Sequence, residues 1–180
     1  METPDYTHYK DQGYLICKNI IPITLLDKIK SNMLNLMLKY VQMLDSELEK
    51  PNKLDIAFTR VTTLSHELRG NIFKTFGKMS ELTSVLFLPK IQKKLEELGF
   101  KSVTIQAFSI LCVEPFTEDY IFNIHQDLRN RMSLNSVGLW TPLTSGENIG
   151  GLGILPESHK NGPQKHIVSA QGDIQLEECG

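Results

Sequence analysis

Cysteine is scarce and scattered in this sequence: Cys17, Cys112 and Cys179 are far apart, odd in number and nowhere arranged as C-x-x-C. That excludes a disulfide framework and a zinc knuckle and suits a reducing compartment, so a cytoplasmic location is expected. No stretch approaches the roughly 18 consecutive apolar residues of a membrane-spanning helix. The first residues, with Asp5, Lys10 and Asp11, lack the basic-then-apolar order of an export signal, so no membrane span is expected. Neither sign of charge dominates. With 19 basic against 21 acidic residues the net charge is −2, too little to gather nucleic acid or anionic lipid by a long-range field. The densest basic group, Lys90, Lys93 and Lys94, is followed within a helical turn by Glu96 and Glu97, the pairing of a solvated helix face. Internal repeats and low-complexity segments are missing. So are three common site motifs: Gly151-x-Gly153 runs into Pro156 rather than a third glycine, and neither a G-x-x-x-x-G-K-[ST] loop nor a G-x-S-x-G elbow occurs.

What is present suits one folded domain spanning residues 1–180, with 41% hydrophobic and 22% charged residues. Residues 13–21 are rich in β-formers, are closed by Pro22 and read as a strand. A long helix then follows, with Thr24 as its cap, Asp27 in its first turn, and apolar residues at Leu26, Ile29, Met33, Leu36, Tyr40 and Leu44. Met33, Met37 and Met43 read as core filler. Pro89 opens a further helix through Ile91, Leu95 and Leu98, and Gly99 stops it. From Ser102 the pattern turns to strands at Val103–Val113, Tyr120–His125, Ser136–Leu143 and Leu152–Leu155. A helical first half leading into a β-rich second half predicts an α+β domain with helices packed outside a sheet or barrel.

The chemistry-bearing stretch is Asn123-Ile124-His125-Gln126-Asp127-Leu128. In an extended chain residues i and i+2 share a face, so the imidazole of His125 and the carboxylate of Asp127 project together while Gln126 faces away. Imidazole with a hard carboxylate suits iron(II), and a facial triad of two histidines and one carboxylate leaves positions open for an oxo-acid and O2. By itself a His-x-Asp tripeptide is more often a hydrogen-bonded structural pair than a metal site.

Downstream come Ser136-Val-Gly-Leu-Trp-Thr-Pro-Leu143 and Asn148-Ile-Gly-Gly-Leu-Gly-Ile-Leu-Pro-Glu-Ser-His-Lys160. With His125-Gln-Asp-Leu128 ahead of them, this order resembles the phytanoyl-CoA dioxygenase family of Fe(II)- and 2-oxoglutarate-dependent oxygenases. Asp11-Gln-Gly-Tyr-Leu-Ile16 and Asn19-Ile-Ile-Pro22 are similar to that family's opening segment. The resemblance is strongest over residues 123–162 and weak over residues 50–100. It implies a double-stranded β-helix, the cupin-like jelly-roll of about eight strands, with N-terminal packing helices and a barrel incomplete in this chain. It also implies that His125 and Asp127 are metal ligands and that Trp140 lines the 2-oxoglutarate pocket. His159 falls in a turn segment and is not implied as a ligand. Glu157 and Ile149 stand where the family has glycine.

A distal histidine and an arginine for the far carboxylate of 2-oxoglutarate are implied too. No arginine follows Arg131, and after Asp127 the histidines are His159 and His166, so both implied residues are expected beyond Gly180. The implied reaction couples decarboxylation of 2-oxoglutarate, to succinate and CO2, with hydroxylation of an unactivated C–H bond of a small-molecule or lipid-like substrate. The alternative is an inactive fragment or a binding module of the same fold.

Overall fold

In the computed structural model the described residues are 3–47, 49–65, 67–104, 124–126, 136–143, 151–168 and 174–176. They form six α-helices: α1 (Pro4–Gln12), α2 (Ile23–Leu44), α3 (Leu54–Leu64), α4 (Leu68–Phe76), α5 (Ser80–Leu86) and α6 (Pro89–Glu97). A 3-10 turn (Ser158–Asn161) and two strands, β1 (His166–Val168) and β2 (Ile174–Leu176), follow. The chain divides into two compact units, one of residues Cys17–Cys112 and one combining Met1–Ile16 with Val113–Gly180.

The first of these units is helical, and its core is built on α2. Ile29, Met33, Met37 and Val41 are buried along one ridge of i, i+4 steps, the row that most often interdigitates when helices pack. α3 packs on this ridge and buries Ala57, Phe58 and Val61; α4, with Ile72 and Phe76 buried, packs on α3, and α6, with Ile91 and Leu95 buried, packs on α5, which in turn meets α2. The expected stripe through Leu36, Tyr40 and Leu44 is displaced by one position. Leu36 and Tyr40 are half-buried flanks, and Leu44 is exposed beside the helix end at Asp45. Met33 and Met37 fill the core as expected, whereas Met43 is 67% exposed. The buried Thr62 hydroxyl donates to the carbonyls of Phe58 and Thr59, each at 3.1 Å, so it is satisfied within its own helix.

Helix ends follow local chemistry. Pro22, not Thr24, precedes the first turn of α2; its carbonyl accepts from Leu25 and Leu26 at 3.0 and 3.2 Å, because its fixed φ already holds the chain in an N-cap geometry. Pro89 opens α6 as expected, and Gly99 (φ +91°) ends it. The Phe100 amide donates to Leu95 and the Gly99 amide to Glu96, at 2.9 and 3.0 Å, which is the paired bonding of a Schellman stop.

Two expectations are corrected. Residues 13–21 form no regular element: Gly13 at φ +83° terminates α1, and Asn19 at φ +55° turns the chain, so the run is broken at both ends. The α+β jelly-roll is also not found among the described residues. The described residues are predominantly helical, and their one ladder is β1 with β2, antiparallel, in the register His166↔Leu176, Ile167↔Gln175 and Val168↔Ile174. The described parts of the remaining expected strands, residues 103–104, 124–125, 136–143 and 152–155, are irregular. Alternating apolar residues supply a face, but a strand exists only where a neighbour takes its backbone N–H and C=O groups, and among the described residues these segments have no ladder. No helix among the described residues is long and apolar enough to cross a membrane.

Candidate functional site

The His-Gln-Asp segment lies in the unit that combines residues 1–16 and 113–180. His125 is exposed, in an irregular stretch that follows a bend at Ile124. Asp127 lies outside the described residues, as does Ile149. Gln126 is half-buried, and its side chain is held at both ends. Its Nε2 donates to the Gly162 carbonyl at 3.1 Å, and its Oε1 accepts from the Gln164 amide at 2.8 Å. The receiving turn is tied to itself as well, since Gln164 Nε2 donates to the Asn161 and Gly162 carbonyls at 2.8 and 3.3 Å. A primary amide has one acceptor and two donors on adjacent atoms; here it bridges a backbone carbonyl and a backbone amide, as a strand partner would. Ile124 and His125 are both exposed, while Gln126 is half-buried.

Trp140 is 53% exposed, on the irregular segment 136–143, so its indole is not a core side chain. Leu139 beside it and Leu152, Ile154 and Leu155 further on are exposed too. Among the described residues no three His, Cys, Asp or Glu side chains converge as a metal cage. The donor chemistry nevertheless fits iron(II): an exposed imidazole can be reached by the ion, and a carboxylate follows two residues later in the chain.

The Pro156-Glu-Ser-His-Lys160 segment does something else, closing the end of α1. That helix starts at Thr3, whose Oγ1 accepts from the Tyr6 amide at 3.2 Å, with Pro4 in its first turn, and it buries no residue. Its last carbonyls need partners. The Gly13 amide donates to Tyr9 at 2.8 Å and the Glu157 amide to Gln12 at 2.9 Å. His159 Nε2 lies 2.9 Å from the Lys10 carbonyl, and because that carbonyl can only accept, the ring carries its proton on Nε2. Lys160 Nζ reaches Asp11 and Glu157, each at 2.7 Å. The Lys160 ammonium, then the Gln12 amide, hold the Asp11 carboxyl below its ordinary value, and Asp11, then Glu157, raise Lys160.

Two features of this clasp explain residue types. Glu157 has φ +64°, a left-handed conformation that favours glycine. The non-glycine residue is accommodated here with its amide on Gln12 and its carboxylate on Lys160. Gly13 combines φ +83° with a close approach: a Cβ there would overlap the His159 imidazole. The motifs Thr3-Pro4 and Gly13 mark both ends of α1 and could have predicted it. The Gln126 bracket carries no comparable signal, since it joins segments far apart in the chain.

No protein-family model, curated protein or solved structure matches this chain. The resemblance to the phytanoyl-CoA dioxygenases therefore rests on the ordered motifs themselves.

Proposed function

We propose that this protein is an Fe(II)- and 2-oxoglutarate-dependent dioxygenase acting with O2 on a small-molecule or lipid-like substrate, in the reducing environment of the cytoplasm. The observation that carries the reading is His125-Gln126-Asp127, followed in order by the Trp140 segment and the Asn148–Lys160 segment. Exposure of His125 beside the tethered Gln126 supports it. The reading rests on the donor set, not on a barrel. His125 and Asp127 would hold the metal, and the exposed indole of Trp140 would cover the 2-oxoglutarate chain as an apolar wall. When bound, the metal supplies O2 activation coupled to loss of CO2 from 2-oxoglutarate. The chain's own contribution is to present two ligands from one short segment and to keep the neighbouring side chain out of their way. The scattered cysteines support the compartment.

The test is metal titration together with succinate release. The full-length protein should bind Co(II), a stable stand-in for Fe(II), and should form succinate from 2-oxoglutarate only with Fe(II) and O2. His125→Ala and Asp127→Ala should each weaken Co(II) binding by at least tenfold and abolish succinate formation. Wild-type affinity in either variant would remove that residue from the metal site. Metal binding that depends on both residues, without turnover, would identify a binding module instead.

A further inference from the structure

Asn161-Gly162 is the one place in the sequence where asparagine precedes glycine; every other asparagine is followed by Ile, Met, Leu, Lys, Arg or Ser. The order matters because the backbone nitrogen of the following residue can attack an asparagine side chain, and glycine, with no Cβ, crowds that approach least. The dipeptide closes the 3-10 turn Ser158–Asn161. Asn161 is exposed, and among the described residues its side-chain amide makes no hydrogen bond. Gly162 leaves the turn at φ +70° and ψ −168°, since a residue before proline, here Pro163, is kept out of the helical region. Its amide lies 3.4 Å from the His159 carbonyl, beyond the usual reach of about 3.2 Å. The nitrogen is thus loosely held, and the carbonyl carbon it would attack is not held at all.

We propose that Asn161 is a self-modifying site that deamidates at a rate set by Gln164. The Gly162 nitrogen bonds to the side-chain carbonyl carbon of Asn161, the bond from that carbon to the side-chain nitrogen breaks, and ammonia leaves with the proton of the attacking amide. Water then opens the resulting five-membered succinimide at either carbonyl, giving aspartate or isoaspartate. The net exchange is NH2 for OH, so no oxidant or cofactor is needed. Attack requires the Asn161–Gly162 peptide plane to turn. Besides the long Gly162 amide bond, that plane is held by Gln164 Nε2, which donates to the Asn161 carbonyl at 2.8 Å and to the Gly162 carbonyl at 3.3 Å. An isoaspartyl product adds one methylene to the main chain directly after Lys160, whose ammonium ties Asp11 and Glu157 at 2.7 Å each. Modification therefore loosens the clasp that closes α1.

Peptide mapping by mass spectrometry during incubation of the full-length protein tests this, with a synthetic peptide of residues 157–166 as the unrestrained reference. Asn161 should gain the mass of the NH2-to-OH exchange at a rate within about tenfold of the peptide, as expected of a surface turn that opens at little cost. The other asparagines should stay unchanged over the same period, and the Asn161 rate should rise with pH because the attacking nitrogen must lose its proton. Gln164→Ala should speed conversion in the protein by about threefold or more, the worth of an exposed hydrogen bond, and leave the peptide rate unaltered. Conversion more than about a hundredfold slower than in the peptide, the mark of a turn that stays closed, would overturn the site, as would earlier conversion at any other asparagine. An unchanged protein rate in Gln164→Ala, or equal acceleration in the peptide, would overturn the role of Gln164. In the purified isoaspartyl form the Glu157 amide, which donates to Gln12, should exchange faster; exchange within about twofold of the unmodified protein would overturn the effect on the clasp.

Discussion

Replacing Gly13 by alanine should loosen the junction between α1 and the Glu157–Lys160 turn, and its size can be worked from the geometry. At φ +83° an alanine pays a conformational cost of about 1–2 kcal/mol. Its Cβ would also overlap the His159 ring, so the imidazole must swing away and release the Lys10 carbonyl, an exposed hydrogen bond worth about 0.5–1 kcal/mol. Together these are about 2 kcal/mol, or roughly a 30-fold rise in opening of the last turn of α1. No residue of α1 is buried, so its C-terminal turn is held by the clasp, with the Glu157 amide on Gln12 and Lys160 on Asp11 beside the His159 contact. Native-state amide exchange at position 13, which donates to Tyr9, and at Glu157, which donates to Gln12, reads the opening directly. Adding His159→Ala makes room for the methyl, so Gly13→Ala made in that background should increase opening only by the conformational part, about tenfold. Exchange within twofold of wild type in Gly13→Ala would refute the reasoning. So would an effect of full size when His159 is already alanine, because the steric part would then be absent.

Phe76, fully buried in the helical unit, should destabilise that unit by about 3–5 kcal/mol on change to alanine, read as a lower urea midpoint by circular dichroism; a loss under about 1 kcal/mol would mean the site is not packed. The Asp11–Lys160 pair should act over a defined pH window. Asp11 is lowered from 3.8, so its contribution is present above that value and disappears as pH falls through the folded pKa; Lys160 is raised from 10.5, so its share is present below that value and disappears as pH rises through the folded pKa. NMR titration should find the Asp11 midpoint moved upward in Lys160→Met, and an unmoved midpoint would sever the pair. Trp140 is the single tryptophan and is half-exposed, so acrylamide should quench its fluorescence readily. Zn(II) with 2-oxoglutarate should protect it, and unchanged quenching would remove Trp140 from the co-substrate pocket.

Helix ends and helix faces were legible in the sequence because their causes are local. Pro89 and Gly99 bracket α6 through their own φ preferences, and a recurrence of apolar residues announces α2 within one residue of its true face. Thr3-Pro4 and Gly13 carry equally local information about α1. The strand expectations for residues 136–143 and 152–155 failed for the opposite reason. Residues 136–143 and 152–155 alternate as strands do, yet pairing depends on which backbone lies alongside, and that is a property of distant segments. The same holds for the clasp of His159 on Lys10 and for Gln126 on Gly162.

The sequence alone determined the donor types, an imidazole and a carboxylate two residues apart, as well as the α2 stripe to within one position and the two ends of α6, because these depend on neighbours in the chain. Only the tertiary structure decided that His125 is exposed to solvent, that Gln126 is tied to residues 162 and 164, and that residues 157–160 close α1. Those outcomes depend on which unpaired backbone groups meet across long separations, and hydrogen-bonding demand, unlike hydrophobic period, leaves no regular trace in the order of residues.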